Sequence, residues 1–315
     1  MNIMLSNRLK KLIFRIEKGM ELINNHRPLS NSILNRLQEQ FIIEMTYNSN
    51  AIEGNTLTLK ETKLVLENGI TIGGKSLKEH LETINHRDAI KFIEKLAASK
   101  EKITERVIRE IHSLILKEID PDYAGRYRDV AVRIVGSSHK PPEHIKINEL
   151  MATFEKEVLR KRSLHPIIKA SLAHFELVSI HPFVDGNGRC ARLLMNLILI
   201  KHGFLPAIVL NNDRRKYYNT LEKAHKKDKE EFIIFICRAI ERTVYLYLEA
   251  IPKINEKMIT LAQASKISPY SIDYLNVLAR RGAIPAFKIK RNWVVSQKAL
   301  DDYIKEHMNA NGIEN

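Results

Sequence analysis

The sequence predicts an all-α protein whose helical core is interrupted by one short β-hairpin and followed by a small module of helices and a second hairpin. Three observations carry this expectation. Apolar residues recur at three- and four-residue spacing through most of the chain, period-two alternation appears in the core only at residues 130–135, and the last part of the chain has its own grammar of short helices and turns.

Taken in order, residues 9–23 and 33–52 read as amphipathic helices, the second ending at Gly54. Residues 61–66 and 77–96 follow as helices, separated by the Gly-rich turn at 68–74. Thr104 is the expected N-cap of a helix reaching residue 119. In the hairpin, Val130, Val132 and Ile134 alternate with Ala131, Arg133 and Val135 before Gly136-Ser137-Ser138. Pro141-Pro142 breaks the chain before a helix near 147–159, and Pro166 suits the first position of the next, over 167–180. A polar Gly-rich turn leads to a helix over 189–202, stopped by Gly203. Residues 213–250 give two further helices. In the tail, a short helix at 261–266, a cap at Ser268-Pro269, a helix at 270–281 closed by Gly282, a hairpin turning at Lys290-Arg291-Asn292 and a helix capped by Ser296 are expected. The domains expected are a helical region at 1–100, a core at 101–250, a linker at 251–257 and a module at 258–315.

Bulk properties narrow the class. The 315 residues are 44% hydrophobic and 28% charged, which argues against wholesale disorder, and no apolar run approaches the roughly 20 residues that span a bilayer. The N-terminus shows no cleavable leader, so the cytoplasm is the expected compartment. Cys190 and Cys237 lack disulfide or metal spacing and read as buried thiols. The net charge of +14 favours a polyanionic partner.

The segment from His181 to Arg192 concentrates chemistry. It ends at a helix N-terminus, where free N–H groups and Gly186 and Gly188 suit a phosphate. Arg189 and Arg192 share a helical face and can each fork a phosphate oxygen. Asp185 offers a hard oxygen for Mg²⁺, and His181 the imidazole suited to a general base near neutral pH.

These twelve residues match every specified position of the Fic signature, His-x-Phe-x-Asp/Glu-Gly-Asn-Gly-Arg-x-x-Arg, and the chain resembles that family of AMP transferases from about Ala51 to Leu248. The resemblance implies that His181 takes the proton of a Ser, Thr or Tyr hydroxyl attacking the α-phosphate of ATP. Asp185 would hold Mg²⁺, Gly186, Asn187 and Gly188 would cradle the phosphates, and Arg189 and Arg192 would neutralise the β and γ phosphates. Tyr217 and Tyr218 would lie near adenine, with His225 where some relatives carry Asn. The hairpin residues Arg133, Ile134, Val135, Gly136, Ser137 and Ser138 would form a flap that pairs with the target protein.

Upstream, Ser49-Asn50-Ala51-Ile52-Glu53-Gly54-Asn55 is similar to the family's inhibitory motif, which implies that Glu53 bridges Arg192 and obstructs the γ-phosphate. Removal of AMP at the same site, with Glu53 orienting water, is an equally open reading. The tail resembles winged helix-turn-helix modules. That implies DNA contact through Tyr270, Ser271 and Tyr274, with Lys288, Lys290 and Arg291 near phosphates; a dimerisation or target-docking module is the alternative. Family habit adds a homodimer.

Overall fold

The three-and-four spacing becomes a set of helices in the computed structural model, which describes residues 6–251, 258–281, 283–289 and 292–310. Two units result, residues 38–239 and residues 1–37 with 240–315. In the first, α3 (Leu59–Asn68) and α4 (Leu77–Ala98) each open with a capping box, Thr58 with Glu61 and Ser76 with Glu79. Such a cap is worth about 1 kcal/mol. Gly69 closes α3 in the left-handed conformation that glycine adopts without strain.

Helix α5 (Glu105–Leu116) starts as expected after Thr104, but Thr104 makes no side-chain cap. The Glu105 N–H is taken instead by Glu155 Oε2 at 2.7 Å. Glu155 belongs to a π-helical turn, Glu155–Leu159, that continues α6 (Ile147–Phe154). Helices α7 (Pro166–Ile180) and α8 (Asn187–Lys201) pack on each other, and α4 and α5 also cover α8. These neighbours bury α8 continuously from Arg189 to Leu199, its polar residues Arg189, Arg192 and Asn196 included. Each fully buried Leu or Ile contributes about 1.5–3 kcal/mol relative to exposure. Helices α9 (Arg214–His225) and α10 (Lys229–Ala250) follow.

The expected pairing at residues 130–138 is not formed. Among the described residues the strands all lie within 258–296, and residues 130–138 make a loop with one turn, Ser137 N–H to Ile134 O at 3.3 Å. The alternation survives as burial, with Val132 and Ile134 half-buried and Arg133 and Val135 exposed. A ladder is replaced by a side chain: the Arg128 guanidinium donates to Val130 O at 2.8 Å and Pro142 O at 2.6 Å, tying the loop's two arms.

In the second unit, α1 (Asn7–Asn24) accompanies α2 (Asn31–Ile52) only through its first residues, 31–37. A three-stranded antiparallel sheet has the order β1-β3-β2, with β1 (Met258–Thr260), β2 (Ala286–Ile289) and β3 (Asn292–Ser296). The hairpin was expected; β1, pairing Ile259 with Val295, was not. Around the sheet lie α11 (Leu261–Ala264), α12 (Ile272–Arg281) and α13 (Gln297–Ala310), sharing a core that includes Leu275, Leu278, Val295 and Leu300. The cap of α12 is Ser271, which accepts from Tyr274 N–H at 3.2 Å, so the helix begins two residues later than expected at Ser268-Pro269. The linker positions 252–257, the stop at Gly282 and the turn residues Lys290 and Arg291 lie outside the described residues, as does the side chain of Lys288.

Gly19 on α1 sits where a Cβ would run into Val244 Cγ1 and approach Phe287 Cε1 to 3.3 Å. Gly19→Leu is therefore expected to lower stability by about 1–3 kcal/mol through overpacking. Thermal unfolding checks this; an unchanged midpoint would show the groove to be open. No helix among the described residues is long and apolar enough to cross a membrane.

Candidate active site

His181 ends α7 with φ 52° and ψ 58°, a left-handed conformation uncommon for a residue with a Cβ. Its N–H bonds Leu177 O at 2.9 Å, and its ring Nδ1 lies 3.2 Å from Val178 O. A carbonyl only accepts, so Nδ1 carries the proton and Nε2 keeps its lone pair. Burial, more than any neighbour, pushes the His181 pKa below its ordinary value; Val178 and Glu53 oppose this, and Arg128 adds to it.

Beyond His181 the loop is held from inside. Phe183 N–H donates to Asn187 Oδ1 at 3.0 Å, while Asn187 Nδ2 donates to Phe183 O at 2.8 Å. The Asn187 side chain is thus consumed by the loop, leaving its backbone for any ligand. His112, on α5, stacks on Phe183 with ring centroids 3.6 Å apart. It receives Gly125 N–H on Nδ1 at 3.0 Å, so Nε2 donates to Asp185 O at 2.9 Å. Burial pulls its pKa down to about 4, consistent with this neutral form. Gly186 lies under the same ring at φ 75°, where a Cβ would come within 3.2 Å of His112 Nε2.

The two arginines of α8 diverge. Arg189, buried, reaches Glu82 Oε1 and Asp185 Oδ2, each at 3.2 Å. Asp185 itself is exposed, and its Oδ1 accepts Gly186 N–H at 2.6 Å. Burial alone would raise its pKa, but Arg189 and the Gly186 bond outweigh that and hold the carboxyl below its usual range. Arg192 turns toward α2. It donates from Nη2 to Glu53 Oε1 at 2.7 Å and to Ser49 O at 2.9 Å, and from Nε to Ser49 Oγ at 3.0 Å. Burial opposes its charge, yet the Glu53 carboxylate raises its pKa above the ordinary value.

Glu53 is held in place by its own segment. Gly54 turns the chain at φ 104°, and Asn55 donates to Glu79 O at 3.0 Å and Glu82 Oε2 at 2.9 Å on α4. Ile52 O takes Arg214 Nε at 2.8 Å. Gly188 is the closest approach, since a Cβ there would collide with Glu53 Oε1. The upstream motif and the loop, 139 residues apart at Glu53 and Arg192, therefore meet.

They meet at the wall of a cavity of about 390 Å³. His181, Glu53, Gly188, Tyr217, Tyr218 and Ile134 to Ser137 are among the residues that line it. Tyr217 is buried with its hydroxyl 2.9 Å from His174 Nε2, and Tyr218 lies beneath the Arg214 guanidinium. Arg133 and Ser138, at the ends of the flap segment, are exposed. Both cysteines are buried and in no disulfide among the described residues, as expected.

Sequence reasoning missed His112, Arg128 and Glu82. His112 interrupts the apolar stripe of Ile108, Ile111 and Ile115, a signal that marks a buried polar residue without naming its partner. Arg128 bonds His181 O through Nε at 2.9 Å while its own N–H bonds Pro182 O at 2.9 Å, with no local cue in the sequence.

Comparison with known proteins agrees with this geometry. Residues 102–199 match the Fic/DOC family. A protein adenylyltransferase Fic of Drosophila virilis is 39% identical over 256 residues, covering 81% of this chain and 52% of the relative. One of Nematostella vectensis is 42% identical over 224 residues, covering 70% and 52%. The chain thus spans about half the length of the curated relatives it matches. Among solved structures, a fragment of Fic-1 from C. elegans superposes with TM-score 0.70 at 33% identity, covering 77% of this chain and 72% of that one. A Fic domain containing signaling protein from Bacteroides thetaiotaomicron gives 0.68 at 30%, covering 78% and 97%.

Proposed function

The chain belongs to the Fic/DOC family, and from that premise we propose that it transfers AMP from ATP to a hydroxyl of a protein and is held back by Glu53. The supporting observation is that His181, Gly188 and Glu53 face one cavity, with Arg192 bound to Glu53. In the reaction, His181 Nε2 removes the proton of a Ser, Thr or Tyr hydroxyl. The oxygen forms a bond to the α-phosphorus as the bond to the bridging oxygen breaks, releasing pyrophosphate. The N–H groups opening α8 and the Arg192 guanidinium would meet phosphate charge, and the adenosine would lie against Tyr217 and Tyr218. Arg189 would act from behind, since it is engaged by Asp185 and Glu82.

Asp185 suits Mg²⁺: its carboxylate is exposed, ionised and beside the anion-binding turn, and the ion takes one or two carboxylates together with phosphate oxygens. Bound there, Mg²⁺ would neutralise charge on the phosphates. Asp185→Ala is expected to lose most activity together with its Mg²⁺ dependence; overlaying Mg²⁺ titrations would reduce Asp185 to a turn residue.

The proposal is tested by incubating the protein with α-labelled ATP, Mg²⁺ and a lysate of its host. Label on protein, lost with His181→Ala, is the expected outcome; label absent even from a Glu53→Gly protein rejects it. A second reading, removal of AMP from a modified protein, is favoured by the Glu53 carboxylate lining the same cavity as His181, where it can orient water. That activity would be lost in Glu53→Gly.

A further inference from the structure

The flap segment, which pairs with no strand among the described residues, is nonetheless fastened at one end by a cluster to which the reaction above assigns no step. Glu222, on α9, accepts Ser137 Oγ on Oε1, and on Oε2 accepts Ser138 Oγ at 2.5 Å and Ser138 N–H at 3.3 Å. Beside it, His139 N–H bonds Ser137 Oγ at 3.1 Å, and the His139 ring lies 2.8 Å through Nε2 from Ser179 O on α7. That ring stacks on His225, one turn beyond Glu222, with centroids 3.9 Å apart and planes within 5°. His225 in turn lies against Phe175 at 5.0 Å.

These contacts act on one short stretch. Three donors converge on the two oxygens of a single carboxylate, and charge-assisted hydrogen bonds of this kind are roughly twice as strong as neutral ones. Burial would raise the Glu222 pKa, but the Ser137 and Ser138 bonds outweigh it, so the group stays an ionised acceptor. Ile134–Ser137 line the cavity, as do Glu222 and His225 themselves, so the fastened residues, 137–139, carry the flap segment out of the cavity wall. Val135, at the tip, is 96% exposed. A loop with a free tip and a pinned arm has its register set by the pin. Moreover, Glu222 and His225 stand on the helix that also carries Tyr217 and Tyr218, so the same element shapes the cavity wall and the flap above it.

We infer that Glu222, with the His139–His225 stack, is a latch that fixes the outgoing arm of the flap on α9 and thereby sets where a target segment lies relative to His181. Glu222 is a positioning residue in this scheme, acting through Ser137 and Ser138. The inference rests on the proposed transfer reaction for its consequence, but the latch itself is a property of the fold.

Two measurements separate these levels. Hydrogen exchange of the flap peptide, residues 131–141, reads the latch without any chemistry. In Glu222→Ala that peptide is expected to exchange at least about tenfold faster while α7 and α8 do not change, and Glu222→Gln, which keeps one carbonyl acceptor, should fall between. Automodification with labelled ATP, in the Glu53→Gly parent, reads the consequence. The maximal rate should fall about tenfold in Glu222→Ala, more than any change in half-saturating ATP, with partial recovery in Glu222→Gln. Unchanged flap exchange overturns the latch. Faster exchange with an unchanged transfer rate overturns the positioning role. A Glu53→Gly parent that transfers nothing counts against the reaction, and flap exchange then decides the latch by itself.

Discussion

Replacing His181 with alanine is expected to reduce AMP transfer by about 10² to 10⁴ while ATP still binds, the loss typical of a missing general base. The Val178 carbonyl fixes the proton on Nδ1, so the free lone pair on Nε2 is what the substitution removes. Alanine keeps the Cβ but is less at ease than histidine in the left-handed region at φ 52°, where His, Asn and Asp are enriched. Asn tolerates that conformation, so His181→Asn separates strain from chemistry: it should fold like the parent and be as inactive as alanine. The pH profile gives a further check. The unprotonated ring is the base, and burial lowers its pKa below the ordinary value of about 6.5. Transfer should therefore persist at pH 6.5 and fall only as the pH drops through that lower value. Nucleotide binding, label transfer and its pH dependence, all in the Glu53→Gly background, decide the assignment; near-normal transfer by His181→Asn would end it.

Glu53→Gly is expected to raise automodification about 5- to 150-fold, the range of an ordinary coupling of about 1 to 3 kcal/mol between two ligands of one group. Here the competing ligands are a carboxylate and a γ-phosphate, and the shared group is Arg192. Glu53 holds Nη2 at 2.7 Å and stands so near Gly188 that a Cβ there would collide with its carboxylate. Removing the side chain frees both the charge and the space. It also leaves a buried guanidinium with Ser49 as its remaining hydrogen-bonding partner among the described residues, so the folded state should lose about 1–3 kcal/mol. ATP should restore that stability, and the rise in melting temperature on adding ATP should be larger in Glu53→Gly than in the parent. Gln is the weaker probe, because its carbonyl still accepts from Arg192. An unchanged automodification rate in a folded, ATP-binding Glu53→Gly protein would reduce the upstream motif to a helix end.

Helices and the loop from His181 to Arg192 were legible because their causes are local. A 3.6-residue period places Ile108, Ile111 and Ile115 on one face whatever lies opposite, and Gly186 permits its left-handed turn within a few bonds. The order of His181, Asp185, Arg189 and Arg192 is likewise written in twelve consecutive residues, so the chemistry they suit was open to reading from the sequence. What those groups touch was not. That Arg192 leaves the face it shares with Arg189 to bind Glu53, that Asn187 spends its amide on Phe183, and that His112 and Arg128 hold the loop from elements far away in sequence are outcomes of packing. Each such contact depends on side chains brought together by the burial of α8 among α4, α5 and α7. The flap makes the same point from the other side. Alternation at residues 130–135 specifies a face, but a strand also needs a neighbour to accept its hydrogen bonds. Within this chain Arg128 and Glu222 tie the segment by side chains instead, and only the folded arrangement could assign them that work.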